Sequence, residues 1–318
     1  MRPKLIILSL FLLPGVLHAQ TVKDWLIHPS LSAASLVSAK YDVGADKFTP
    51  APLVMLRARF GEDTGPFYAT VLFDLPSTRF LTCEAVWQPI HQVGVRFGLQ
   101  KMLYLFETMY APYLTGISSR SRDVGIVLRG AFWPAEGYSK FSYAFGVFNG
   151  NGYSLIDNNR AKDLQLRLVY QPIPELKISL GAMNGYYNLT REGVRTEELA
   201  HRQRLSLGVW YEGEKMFVRS EDLFGITDGI KSNGIMALAG YRPWPRILFT
   251  GRADNFKRDM SDPLSASTKL EIAFTHYLVS DGTIYYSLQY GHTFFSNPDM
   301  RGIDALMFCV NVAFLRKL

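Results

Sequence analysis

Arg122-Asp123-Val124-Gly125-Ile126-Val127-Leu128-Arg129-Gly130-Ala131-Phe132-Trp133 reads as a β-strand. Val124, Ile126 and Leu128 fall on one face, Asp123 and Arg129 on the other, and a pleated strand between two unlike solvents imposes that period of two. A turn from Pro134 to Ser139 ends the run, and a second alternating run follows from 140 to 148. The same unit recurs along the chain. Runs near 30–42, 52–60, 66–74, 79–87 and 92–99 precede it. Runs near 162–170, 175–186, 202–211, 214–222, 233–241, 246–254, 268–277, 283–291 and 304–315 follow. Sixteen strands result, each closed by Gly, Pro, Asn or Asp, and a helical period is almost nowhere sustained, so the fold class is all-β.

The connections alternate in length. Gly61 to Gly65, Gln88 to His91, Pro134 to Ser139, Gln171 to Pro174, Glu212 to Gly213, Arg242 to Pro245 and Val279 to Gly282 are short. Gln100 to Ser121, Asn149 to Ala161, Asn184 to His201, Asn255 to Thr268 and His292 to Ile303 are long. An even strand number with short turns at one end and long loops at the other describes a transmembrane antiparallel β-barrel; a soluble sandwich also buries one face of each strand but lacks this asymmetry. Aromatic residues close the strands that descend to the short-turn end. Phe60, Trp87, Phe132, Tyr170, Tyr211, Tyr241 and Phe314 lie on the apolar face, and Tyr277 lies one residue out of phase. Apolar stripes such as Leu164, Leu166 and Leu168, or Leu306, Phe308, Val310 and Val312, supply a lipid-facing surface between such girdles.

Composition agrees. At 48% hydrophobic and 19% charged residues the 318-residue chain is too apolar for disorder and too polar for a helical membrane protein. Residues 1–19 read as a signal peptide, with Arg2 and Lys4, an apolar run from Leu5 to Leu17, and Leu17-His18-Ala19 before the cut; residues 20–318 then form one barrel domain. The formal charge of +6 drops by two with Arg2 and Lys4, too weak and dispersed for a nucleic-acid partner. Cys83 and Cys309, the two cysteines, fall on strands four and sixteen and are expected to be free.

The face opposite the apolar stripes carries Arg57, Arg59, Arg96, Arg129, Arg167, Lys177, Arg204, Arg252 and Lys269 against Asp74, Glu84, Asp123, Asp163, Asp254 and Glu271. Nine basic against six acidic groups lining a water-filled lumen favour anions, unless cross-strand ion pairs such as Arg129 with Asp163 cancel the field. The loop from Gln100 to Ser121 is expected to narrow the lumen as a constriction loop. It holds Lys101, Glu107 and Arg120, and its apolar run from Met102 to Phe106 either anchors it on the wall or offers solutes a greasy surface. The candidate pore-lining set is Arg96, Lys101, Glu107, Arg120, Arg122, Arg129 and Arg167.

Three segments resemble the phosphate-selective porin O and P family. They are Val95-Arg96-Phe97-Gly98-Leu99-Gln100-Lys101 with Glu107; Arg122-Asp123-Val124-Gly125; and Gly146-Val147-Phe148-Asn149-Gly150-Asn151-Gly152 with Asp157, Asn158, Asn159 and Lys162-Asp163. The resemblance covers about residues 93–170 and implies a sixteen-stranded, usually homotrimeric outer-membrane channel with that loop folded inward. Leu103-Tyr104 stands where the family usually has Pro-Phe, and the loop carries fewer cations than phosphate-selective members do. The expected activity is therefore passive diffusion of small hydrophilic solutes with a modest anion preference, with outer-membrane lipids and small anionic or polar solutes as partners. The alternative is a structural or accessory barrel without an open channel.

No arrangement for catalysis stands out. His18, His28, His91, His201, His276 and His292 lack metal-ligand spacing, and neither a nucleophile elbow nor a phosphate-cradling glycine loop occurs. A barrel phospholipase would draw on Ser280, Ser287, His276 and His292; Asp157-Asn158-Asn159 reads as a polar turn before a calcium site; the sequon at Asn188 is expected in a loop. Neither an enzymatic activity nor a cofactor is expected.

Overall fold

The computed structural model describes residues 30–61, 65–105, 122–150, 160–191, 194–279 and 283–317. Residues 1–19, read as a signal peptide, lie outside the described residues. Eight strands precede the midpoint: β1 Ser30–Asp42, β2 Lys47–Phe60, β3 Phe67–Asp74, β4 Arg79–Ile90, β5 Val93–Lys101, β6 Arg122–Ala135, β7 Tyr138–Phe148 and β8 Asp163–Ile173. Eight follow: β9 Leu176–Arg191, β10 Val194–Glu212, β11 Met216–Thr227, β12 Ile230–Trp244, β13 Ile247–Lys257, β14 Ala266–Tyr277, β15 Ile284–Phe295 and β16 Ile303–Lys317. Each pairs antiparallel with its chain neighbours, and β1 pairs with β16, so the sheet closes into a barrel with no free edge. Closure lets every strand satisfy its backbone groups on both sides, the requirement a bilayer places on a spanning structure.

The alternation expected from the sequence sets the two faces. Outward residues stay exposed although they are large and apolar, among them Ile272 at 66% and Phe97 at 55%. Such surface continuous around a molecule is unstable in water and is covered by lipid tails in a membrane. Phe60, Trp87, Phe132, Tyr170, Tyr211 and Tyr241 are all exposed at the short-turn end. Tyr277 packs instead against inward residues, as its phase requires. No helix among the described residues is long and apolar enough to cross a membrane.

The expected short turns at 88–91, 134–139, 171–174, 212–213 and 242–245 are present, while residues 62–64 and 280–282 of the other two lie outside the described residues; the opposite end differs from its reading. The long loop expected from Asn184 to His201 is absent: β9 runs on to Arg191 and β10 starts at Val194. Asn188 is accordingly a buried strand residue paired with Leu199, not a loop residue. Asp228 and Gly229 join β11 to β12 in a two-residue turn with φ of 51° and 84°, values that match the right-handed twist of a hairpin and suit an Asp-Gly pair. The connection 258–265 does form a structured loop, where the Ser261 hydroxyl and amide donate to Asp259 at 2.6 and 2.9 Å and hold its carboxyl below the usual range.

Candidate functional site

β5 delivers the start of the expected constriction loop into the barrel. Met102, Leu103, Tyr104 and Leu105 are all buried, Tyr104 to 1% exposure. Their backbone is tied to inward residues of two strands, β8 and β10. The Leu103 amide donates to Gln165 Oε1 at 2.8 Å, Arg167 Nε donates to the Leu103 carbonyl at 2.6 Å and Arg167 Nη2 to the Met102 carbonyl at 3.5 Å. Ser206 Oγ donates to the Tyr104 carbonyl. Gly181 of β9 makes room for this strap, since a Cβ there would lie 2.0 Å from the Tyr104 oxygen.

The strap's side chains divide between two clusters. Leu103 packs with Val127 and Phe148, whereas Met102, Tyr104 and Leu105 pack with Met183, Phe217, Leu223, Met236, Leu238 and Leu248. Each buried apolar side chain is worth about 1.5–3 kcal/mol and each hydrogen bond about 0.5–1.5 kcal/mol, so packing dominates the hold and the bonds fix its register. Of the two readings of the apolar run, residues 102–105 take the anchoring one. Phe106, Glu107 and Arg120 lie outside the described residues.

Beside the strap, Arg96 of β5, Arg129 of β6 and Arg167 of β8 line one recess of about 240 Å³ with Leu103, Val127, Ala144 and Val169. The register explains the convergence: Arg129 and Arg167 both stand opposite Ala144 of β7, and Arg96 stands opposite Val127. Arg96 lies 3.8 Å from Glu84, Arg167 holds the strap, and Arg129 reaches the Tyr68 hydroxyl at 3.5 Å. Among the described residues no carboxylate pairs with Arg129. Lys101 and Arg122 face each other in the register, but their phase is that of Phe97 and Ile126, so alternation places both on the outer face rather than in the pore-lining set.

Other inward charges do neutralise one another. The expected partnership of Arg129 with Asp163 is not formed. Asp163, fully buried, pairs with Arg202 at 2.5 Å and accepts from the Tyr186 amide at 3.2 Å. The intervening strand permits this because it carries Gly185, whose Cβ would lie 1.8 Å from the carboxylate. Arg202 Nη2 also donates to the Gly150 carbonyl, so two residues of the third quoted segment, Gly150 and Asp163, meet at one buried charge pair. Arg252 pairs with Asp254 at 2.6 Å and Glu271 at 3.4 Å, and Lys269 also pairs with Glu271. Arg202 escaped the sequence reading although it opens the expected 202–211 run in phase with Arg204; following that alternation to the first residue of the run finds it.

The residues considered for other chemistry hold structural partners. His276 contacts the Tyr286 hydroxyl at 3.1 Å, and His292 contacts Asp304 at 2.7 Å. Cys83 is exposed and Cys309 buried, and both are free. Among the described residues no cluster of His, Cys, Asp or Glu is arranged to hold a metal. Residues 157–159 lie outside the described residues.

No protein-family model matches the sequence, and no curated protein matches it. Solved structures do. The chain is similar to an anion-selective porin from Comamonas acidovorans at 12% identity and a TM-score of 0.66, over 90% of this chain and 98% of that one. It is similar to Pseudomonas putida OprB at 10% identity and a TM-score of 0.67, over 90% and 94%. It also resembles the trimer form of OmpT, an outer membrane protein of Vibrio cholerae, at 10% identity and a TM-score of 0.66, over 90% and 99%. At such identities the likeness establishes architecture, and the architecture is the closed sixteen-strand antiparallel barrel of outer-membrane porins.

Proposed function

We propose that this chain is an outer-membrane porin, exported by a signal peptide cleaved after residue 19, that forms a water-filled channel for small hydrophilic solutes with a modest anion preference. The observation that carries the reading is the convergence of Arg96, Arg129 and Arg167 on one recess of the inner wall beside an inward-folded strap. Sixteen strands enclose room for an aqueous channel, and an inward loop narrows it to where wall charges act. Two unit charges about 8 Å apart interact by about 0.5 kcal/mol in bulk water but by about 2 kcal/mol at an effective dielectric near 20. In a narrow throat Arg129, which no carboxylate among the described residues pairs, therefore biases permeation more than the paired charges of β8, β10, β13 and β14. Residues 100–121 serve as the constriction loop, with Glu107 and Arg120 as further charges in it.

Phosphate passes as one small anion among others, because the recess gathers three arginines rather than a dense basic set. The barrel assembles as a homotrimer in this reading, supported by the trimer form recorded for one of the similar structures. It needs no cofactor and performs no catalysis. The test is the reversal potential of the purified protein in planar bilayers under a KCl gradient. Anion selectivity that falls in Arg96→Gln with Arg129→Gln is expected; a cation-selective wild type contradicts the reading. Screening over about 8 Å at physiological salt makes the preference largest in dilute electrolyte.

A further inference from the structure

We propose that the recess beside the strap is a binding site for small amphipathic carboxylates, one carboxylate joined to a compact apolar body. The inference rests on reading the lumen as a solute path and adds the chemistry that the path selects. The recess is amphipathic by construction. Arg129 and Arg167 stand on either side of Ala144 in the register, so their Cα atoms are about 10 Å apart at the usual strand spacing. Arg96 enters from the next strand, opposite Val127. Between the three guanidinium arms the wall offers Ala144 and Val169 with the polar Gln88, His91 and Ser142 beside them, and Leu103 of the strap, packed over Val127, closes one side.

A guanidinium binds a carboxylate through two parallel hydrogen bonds, and Arg129, whose partner among the described residues is a distant phenol hydroxyl, has the donors for it. Inorganic phosphate would satisfy the same donors, but it would leave the apolar floor wet. A ring or branched alkyl group laid on that floor expels the water, which is worth roughly ten- to a hundredfold in affinity. The recess of about 240 Å³ is smaller than the roughly 300–1,000 Å³ filled by drug-sized ligands, so a single-ring acid fits it and a larger one does not.

The test is calorimetric titration of the folded, purified barrel in detergent at low salt with benzoate, acetate and inorganic phosphate. Benzoate is expected to bind about tenfold or more tightly than either of the others. Arg129→Gln should weaken benzoate by about tenfold, the loss of a charge-assisted hydrogen bond. Val169→Thr, which keeps the shape of the floor but adds a hydroxyl, should cut the advantage of benzoate over acetate by about threefold and leave acetate itself unchanged. Equal binding of benzoate and acetate, tighter binding of phosphate, or unchanged benzoate affinity in Arg129→Gln would each overturn the inference. Bilayer currents from the same preparation keep the two proposals apart. Channel current without benzoate preference defeats the carboxylate site alone, whereas benzoate preference without current supports the site and defeats the diffusion channel.

Discussion

The inner wall has two unlike halves. Along β9 to β13 the inward positions hold Met183, Phe217, Leu223, Met236, Leu238 and Leu248, all buried with the strap's Met102, Tyr104 and Leu105. Along β5 to β8 they hold Arg96, Arg129 and Arg167 around an open recess. Register and closure are the same in both halves, so the backbone does not make the difference. The inward side chains do: those of β9 to β13 bury Met102, Tyr104 and Leu105 of the strap, whereas Arg96, Arg129 and Arg167 line the recess on its other side, where only Leu103 packs. The apolar residues of the inner face thus mark where most of the strap packs, and in the channel we propose the arginines of β5 to β8 mark where solutes pass.

That contrast can be broken from either side. The largest effect is expected from Arg202→Ala. It strands the fully buried Asp163 carboxylate beside Gly185, at a cost of about 3–5 kcal/mol, read as a lower guanidinium midpoint for unfolding. Gly181→Ala comes next. Its Cβ would overlap the Tyr104 carbonyl, so the strap must move; stability should fall by about 1–3 kcal/mol and single-channel conductance should rise. An unchanged conductance would place the throat elsewhere than at the strap. Ser206→Ala removes one hydrogen bond to the same carbonyl and should cost about 0.5–1.5 kcal/mol with a smaller change in current. Arg129→Gln sharpens the contrast from the wet half: stability should change by less than about 0.5 kcal/mol while selectivity changes, because no carboxylate among the described residues depends on it.

Where strand faces differ in polarity the sequence was readable, and where they do not it was not. The run from Arg122 to Trp133 placed Arg129 inward and Ile126 outward, as found. In β12 the sequence Ile235-Met236-Ala237-Leu238-Ala239 is apolar on both faces, so the period of two vanishes and the inward apolar patch left no signal. The Asp228-Gly229 turn did leave one, since Asp-Gly between apolar runs favours a two-residue hairpin; ending β11 near residue 222 overlooked it. Ion-pair partners were the least legible feature. Asp163 bypasses its neighbouring strand to reach Arg202, a contact set by a glycine's missing side chain rather than by adjacency in the ladder.

The claim that solutes pass along the arginine half and not along the strap half is tested most directly by cysteine accessibility during single-channel recording. With Cys83→Ser and Cys309→Ser as background, Arg129→Cys and Leu238→Cys are each exposed to a charged thiosulfonate reagent in a conducting bilayer. Stepwise loss of current is predicted for Arg129→Cys and no change for Leu238→Cys. Equal modification at both positions, or a folded barrel with no current to lose, would contradict the account.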